Sequence, residues 1–220
     1  KFEYAGGAGG FLDKFGYPFC RGRIFSSIEE DKGQYNDIRQ IFWASGACMM
    51  VRRVDFIDYG GLDENFFTHQ EEIDFCWRVN SRGRKVFYIP NSVVYHLGGG
   101  TLDQSNPRKT YSNFRNNMLM IYKNLNTPRL IPLAIIRLFL DYLAAFIYVI
   151  SLKPKLAWAV LRARIDFYRY KGKVKAQRKE NLIKTIRYTM PKVVYNGSIL
   201  LSYYMLGKKK FSQFSSLNKA

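Results

Sequence analysis

Cysteine and histidine are scarce in this sequence, and acidic residues are scarce in its second half. The three cysteines, Cys20, Cys48 and Cys76, are odd in number and far apart, with no CxxC pair among them. That spacing speaks against a metal site built on thiolates and fits a reducing, cytosolic setting. Only two histidines occur, His69 and His96. The run His69-Gln70-Glu71-Glu72 has no second histidine at helical spacing, which excludes a zinc metallopeptidase. No internal repeat is visible, and no signal-peptide pattern opens the chain. The first residues, KFEYAGGAGGF, read as the middle of a domain, so the sequence is expected to be part of a longer protein.

Charge is distributed unevenly. Residues 1–104 carry 12 Lys and Arg against 14 Asp and Glu, a net of −2, whereas residues 105–220 carry 23 against 3, a net of +20. Two regions with different partners are expected, the second meeting nucleic acid or an anionic membrane surface. Aromatic residues are plentiful, with 17 Phe and 16 Tyr. A chain of this length then holds one large domain, or one domain and a long extension.

Residues 1–40 contain seven glycines and read as a long loop. Residues 41–52 have strand character, with Gly46 marking a bulge or a close backbone approach. A short helical turn and a Gly-Gly break follow. Residues 71–82 read as a helix: Glu71 and Glu72 suit the positive end of its dipole, and Asp74 and Arg78 are spaced to pair on one face. Residues 85–89 and 93–96 read as strands around the turn signal Pro90-Asn91. The pattern becomes helical again from Tyr111 and breaks at Thr127-Pro128. Residues 130–152 are almost continuously apolar, interrupted by Arg137 and Asp141, which could pair on one helix face. This stretch is compatible with a single membrane span, an in-plane amphipathic helix or a buried helix. Residues 153–192 are densely basic and helical in pattern, with Trp158, Phe167, Tyr168 and Tyr170 interspersed.

Two features carry chemistry. Glu71, Glu72 and Asp74 crowd one helix start, where neighbouring carboxylates raise one another's proton affinity toward that of a general base. The plain alternative is a helix start that merely favours acidic residues. His96 ends a predicted strand just before Gly98, Gly99 and Gly100. A neutral imidazole suits a divalent metal, and a glycine run lets backbone approach a phosphate.

The segments WASGACMMVRR, GGLDENFF, HQEEIDFCWR and VVYHLGGGT, in that order, together with NPRKTYSNFRNNMLMIYKN, resemble the C-terminal half of an inverting family 2 glycosyltransferase. The similarity is greatest to the bacterial rhamnosyltransferase-like branch. It covers residues 1–126 and implies an α/β fold: the C-terminal, acceptor and catalytic half of a GT-A (Rossmann-like nucleotide-diphospho-sugar transferase) domain. Residues 127–220 would follow as a mainly helical, membrane-associated extension. The resemblance implies Glu72 as catalytic base, with Glu71 as the competing candidate. Asp74 and Arg78 would match the acidic and basic positions that shape the acceptor site. Gly46 and Ala47 would match a strand lining the sugar site, with Gly98, Gly99 and Gly100 also at the substrate. His96 would match a ligand for a divalent cation, Mg2+ or Mn2+. The family's nucleotide-binding half with its Asp-x-Asp motif has no counterpart in these residues.

The resemblance thus implies transfer of a sugar from a nucleotide-sugar donor to a hydroxyl of a lipid-linked glycan acceptor in surface polysaccharide synthesis. The setting would be the cytoplasmic face of a bacterial inner membrane, held peripherally or by a single span at an anionic membrane surface. A competing reading is a non-enzymatic nucleic-acid-binding protein using the basic half, but residues 130–152 count against it. An inactive adaptor would not need the acidic and histidine motifs.

Overall fold

The computed structural model describes residues 1–95, 106–190, 192–214 and 217. They form two units. The first comprises Lys1–Gly61, Phe75–Gly98 and Ile186–Ala220; the second comprises Leu62–Asp74 and Gly99–Thr185.

The glycine-rich start of the first unit is folded rather than loop-like. Strands β1 (Gly10–Asp13), β2 (Pro18–Cys20), β3 (Arg23–Ile24) and β4 (Ser27–Ile28) form an antiparallel meander. Strand β7 (Val194–Tyr195) adds to β1 in parallel, so the mixed sheet runs β4-β3-β2-β1-β7. Asp13 closes the β1–β2 turn: its carboxylate accepts from the Phe15 and Tyr17 amides at 2.9 and 2.8 Å. Its other oxygen accepts from the amide of Ile199, the first residue of α7 (Ile199–Tyr204). Phe11, Phe19, Phe211 and Phe214 pack together as an aromatic core. Arg21 is buried between the rings of Tyr35 and Tyr88, donating to the Ala8 carbonyl and to Asp37.

Glycine is required at position 10. The Trp43 ring crosses β1 so closely that a Cβ there would sit 2.0 Å from the indole, whose nitrogen donates to the Phe11 carbonyl. Gly10→Ala is therefore expected to displace Trp43 and cost roughly 1–3 kcal/mol, read as a lowered Tm in a thermal melt. An unchanged Tm would mean the ring moves aside freely.

Strand β5 (Arg39–Ile41) pairs antiparallel with β6 (Val86–Tyr88). The strand expected over 41–52 therefore ends at Ile41, apart from a bridge between Gly10 and Trp43. Gly46–Cys48 is an exposed 3-10 turn, because the Ser45 side chain accepts from the Ala47 amide and caps it. Residues 93–95 form no strand. Helix α1 (Arg53–Asp58) precedes the Gly60-Gly61 break. Helix α2 (Glu71–Ser81) starts in the second unit and ends in the first.

The second unit is helical beyond residue 106. Asn106 caps α3 (Pro107–Asn124), with Pro107 at the first turn where no amide donor is lost. Helices α4 (Thr127–Ile150), α5 (Pro154–Tyr170) and α6 (Lys175–Lys184) follow. Helix α3 packs on α5 and α6, and α4 packs on α5. The Arg137–Asp141 pair expected from spacing is present at 3.7 Å.

Candidate functional site

Residues 62–74 of the second unit carry unusual backbone. Phe67, His69 and Gln70 all have positive φ, at 62°, 67° and 72°. For side chains other than glycine, each such residue costs on the order of 1–3 kcal/mol and persists only where surroundings enforce it. Here the enforcement comes from α3. The Asn116 amide shares its two N–H bonds among the carbonyls of Phe66, Thr68 and His69, at 2.7–2.9 Å. Arg115 donates to the carbonyls of Asn65 and Phe66. Gln70 donates to the Asn113 carbonyl and accepts from Asn117.

Beneath this loop lies a buried charge cluster. The Lys123 ammonium donates to Asp63 at 2.5 Å and Asp74 at 2.8 Å, and Asn124 donates to the other oxygen of Asp74. Burial alone would raise the Asp63 carboxyl. The charge and hydrogen bond of Lys123, with the bonds from Asn65, overcome it and hold the group below its ordinary 3.8. A carboxylate depressed in this way stabilises the fold fully above that ordinary range. The stabilisation is lost as pH falls through the lower folded-state value. The loop is accordingly pinned at both ends, with Asp63 before it and Asp74 after it.

The pinned loop delivers His69, Glu71 and Glu72 to the N-terminus of α2. Nε2 of His69 and one carboxylate oxygen each of Glu71 and Glu72 are buried without a hydrogen-bond partner among the described residues. Unpaired buried polar atoms are rare and costly. Burial raises the Glu72 carboxyl first, and the neighbouring Glu71 charge raises it further. Against them act the backbone amides at the helix start; the outcome is an upward shift from 4.5 to about 7. His69 is held below its ordinary 6.5, by burial first and the Lys109 charge second, against the pull of Glu71. Phe67, two residues before His69 in the chain, is 92% exposed.

The remaining candidates fall elsewhere. Asp74 is fully buried on Lys123 and Asn124, so it anchors α2 rather than facing a substrate. Arg78 is 4% exposed; its guanidinium donates to the carbonyls of Tyr59 and Gly61 and lies over the Phe75 ring. Gly46 and Ala47 belong to the exposed turn of the first unit. His96, Gly98, Gly99 and Gly100 lie outside the described residues. Among the described residues no group of three His, Cys, Asp or Glu side chains could hold a metal ion. Asp63 and Asp74 already share an ammonium. The candidate ligand of the divalent cation that the resemblance implies, His96, lies outside the described residues. His69, Asn116 and Lys123 escaped the sequence reading as site residues. The available signal was the cluster of Asn113, Arg115, Asn116 and Asn117 directly before the apolar run Met118–Ile121, where asparagine is a poor helix former.

Residues 2–130 match the family described as Glycosyltransferase like family 2. The N-acetylglucosaminyl-diphospho-decaprenol L-rhamnosyltransferase of Mycobacterium tuberculosis is 38% identical over 58 residues, covering 26% of this chain and 19% of that protein. Rhamnosyltransferase WbbL of Escherichia coli K12 is 38% identical over 54 residues, 24% of this chain and 20% of its own. The low-salt glycan biosynthesis hexosyltransferase Agl10 of Haloferax volcanii is 31% identical over 108 residues, 46% of this chain and 34% of its own. The matched segments thus span about a fifth to a third of these relatives. No solved structure matches the chain significantly.

Proposed function

This chain belongs to the glycosyltransferase-like family 2, and on that premise we propose that it carries the catalytic-base side of an inverting sugar-transfer site centred on Glu72. The observation that carries the proposal is the set of buried, unpartnered polar atoms at the strained start of α2, one of them on a carboxyl shifted to about 7. A base with that proton affinity is half ionised near neutral pH, where general-base catalysis is most efficient.

In the proposed reaction the acceptor hydroxyl gives its proton to Glu72. Its oxygen forms the new bond to the anomeric carbon while the bond from that carbon to the donor's diphosphate breaks on the opposite face. The diphosphate leaves with the electron pair, and Glu72 later releases the proton to water. Glu71 keeps the proton affinity of Glu72 high. His69 offers a ring nitrogen to a neighbouring hydroxyl, and the exposed Phe67 ring offers an apolar face to a sugar. Asp74 and Arg78 position the helix.

In the same reading, residues 1–126 are the acceptor half of a GT-A domain. The acceptor is a lipid-linked glycan, as the diphospho-decaprenol in the name of the mycobacterial relative suggests by analogy. Residues 127–220 sit at the cytoplasmic face of the membrane. Supporting membrane association, α4 is long and apolar enough to cross a bilayer by length and composition.

The test is a pH–rate profile of the full-length protein. The value of kcat/KM should rise through about pH 7 as Glu72 loses its proton, then level off. A profile with no rising limb in that range would reject Glu72 as the base.

A further inference from the structure

Helix α4 is built inside out. Its buried residues, Leu133, Arg137, Asp141 and Ala145, recur every fourth position and include both of its internal charges. Arg164 of α5 closes on the pair, reaching Asp141 at 3.0 Å and the Ala134 carbonyl. The opposite face carries Ile131, Ile135, Phe139, Tyr142, Phe146 and Ile150, all more than half exposed. At 3.6 residues per turn these positions fill an uncharged arc of roughly 100°, the width of a face that elsewhere turns to a core. Helix α5 runs back along α4, with Ala157 and Val160 against Ala145 and Arg164 against Asp141. Its outward side adds Trp158 and Tyr168, 60% and 53% exposed, with Lys155, Arg162 and Arg169 exposed among them.

We propose that the α4–α5 hairpin lies in the plane of an anionic leaflet, apolar face down, with both ends of α4 on the same side. This rests on the membrane-surface part of the function proposed above and decides its topology. A crossing α4 would carry the charges of α5 with it, because α5 is packed along it. Arg162 and Arg164 would then enter hydrocarbon, where a charge is strongly disfavoured. Lying flat removes that conflict: an amphipathic element sinks its apolar face to the acyl boundary, and tyrosine, tryptophan and lysine stay at headgroup level. Charge selects the occupant. Residues 127–184 carry 13 Lys and Arg against 3 Asp and Glu, so a second copy is repelled and an anionic surface attracted.

Two measurements on the full-length protein test this. In flotation with vesicles of equal parts phosphatidylcholine and phosphatidylglycerol, the protein should bind, and high salt should weaken binding without abolishing it. Phe139→Glu with Phe146→Glu should reduce the salt-resistant binding roughly tenfold or more. No vesicle binding, or concentration-dependent dimers that these changes dissolve, would overturn the membrane reading and the topology with it. Topology is read separately by single cysteines, Arg129→Cys and Ser151→Cys, in a Cys48→Ser background; Cys20 and Cys76 are buried. In sealed inside-out bacterial membrane vesicles an impermeant maleimide should label both sites equally without detergent. If Ser151→Cys, with vesicle binding intact, labels only after detergent, α4 crosses the bilayer and the in-plane arrangement is wrong.

Discussion

Replacing Glu72 with Gln in the full-length protein is expected to lower kcat by about 10²–10⁴-fold while leaving donor affinity nearly unchanged. Gln keeps the shape and removes only the ability to take a proton. Glu71→Gln should be mild by comparison, because Glu71 acts through its charge on Glu72. If the two variants behave the other way round, the base is Glu71. The same change has an opposite effect on stability. A carboxyl raised from 4.5 to about 7 destabilises the fold when ionised: the penalty is absent below the lower value and complete above the higher. Glu72→Gln should therefore raise Tm at alkaline pH and leave it unchanged at pH values below 4.5. Each kcal/mol recovered corresponds to roughly 2–4 °C in a chain of this size. A group present only to cap a helix would show no such gain.

Lys123→Met is expected to be the most destabilising single change in the second unit. It leaves Asp63 and Asp74 facing one another, both almost fully buried, with no cation between them. Removing one partner of a buried ion pair costs about 3–5 kcal/mol, a fall in Tm on the order of 10 °C. Adding Asp63→Asn should restore part of it, since one of the two stranded charges is then gone. If the double variant is no better than the single one, the loss comes from packing of the lysine stem and not from charge. Because this cluster pins both ends of the 63–74 loop, activity should fall further than the folded fraction does.

How much of this could be read in the sequence differs from element to element. Helix α2 was legible because its acidic first turn and its apolar positions Phe75 and Val79 follow helical rules. The C-terminal end of α3 was legible from the Thr127-Pro128 break, whereas its start at Pro107 lies four residues before Tyr111, where the helical pattern becomes visible. Strands β1 to β4 were not. Their glycines look like loop residues, yet Gly10 is there to admit the Trp43 ring, a contact 33 residues away in sequence. The strand expected through Gly46 and Ala47 failed because a single serine side chain caps a turn at Ser45. At the site, the carboxylates announced themselves, whereas the residues that hold them did not. Asn116 and Lys123 sit on the inward side of α3, and polar residues in a helical pattern are ordinarily assigned to solvent. The pairing of Arg137 with Asp141 was readable from spacing, but the third member, Arg164, was not.

The hydrogen bonds that force His69 and its neighbours into left-handed backbone reach 47 to 50 residues along the chain, and the one from Lys123 to Asp63 reaches 60. A ribosome therefore delivers Glu72 well before it delivers the residues that give Glu72 its setting. Until α3 has emerged, the 63–74 segment has no reason to leave ordinary backbone conformations, and its glutamates remain hydrated, with the proton affinity of any exposed carboxyl. The setting proposed for Glu72 is thus completed only when α3 docks on the 63–74 segment.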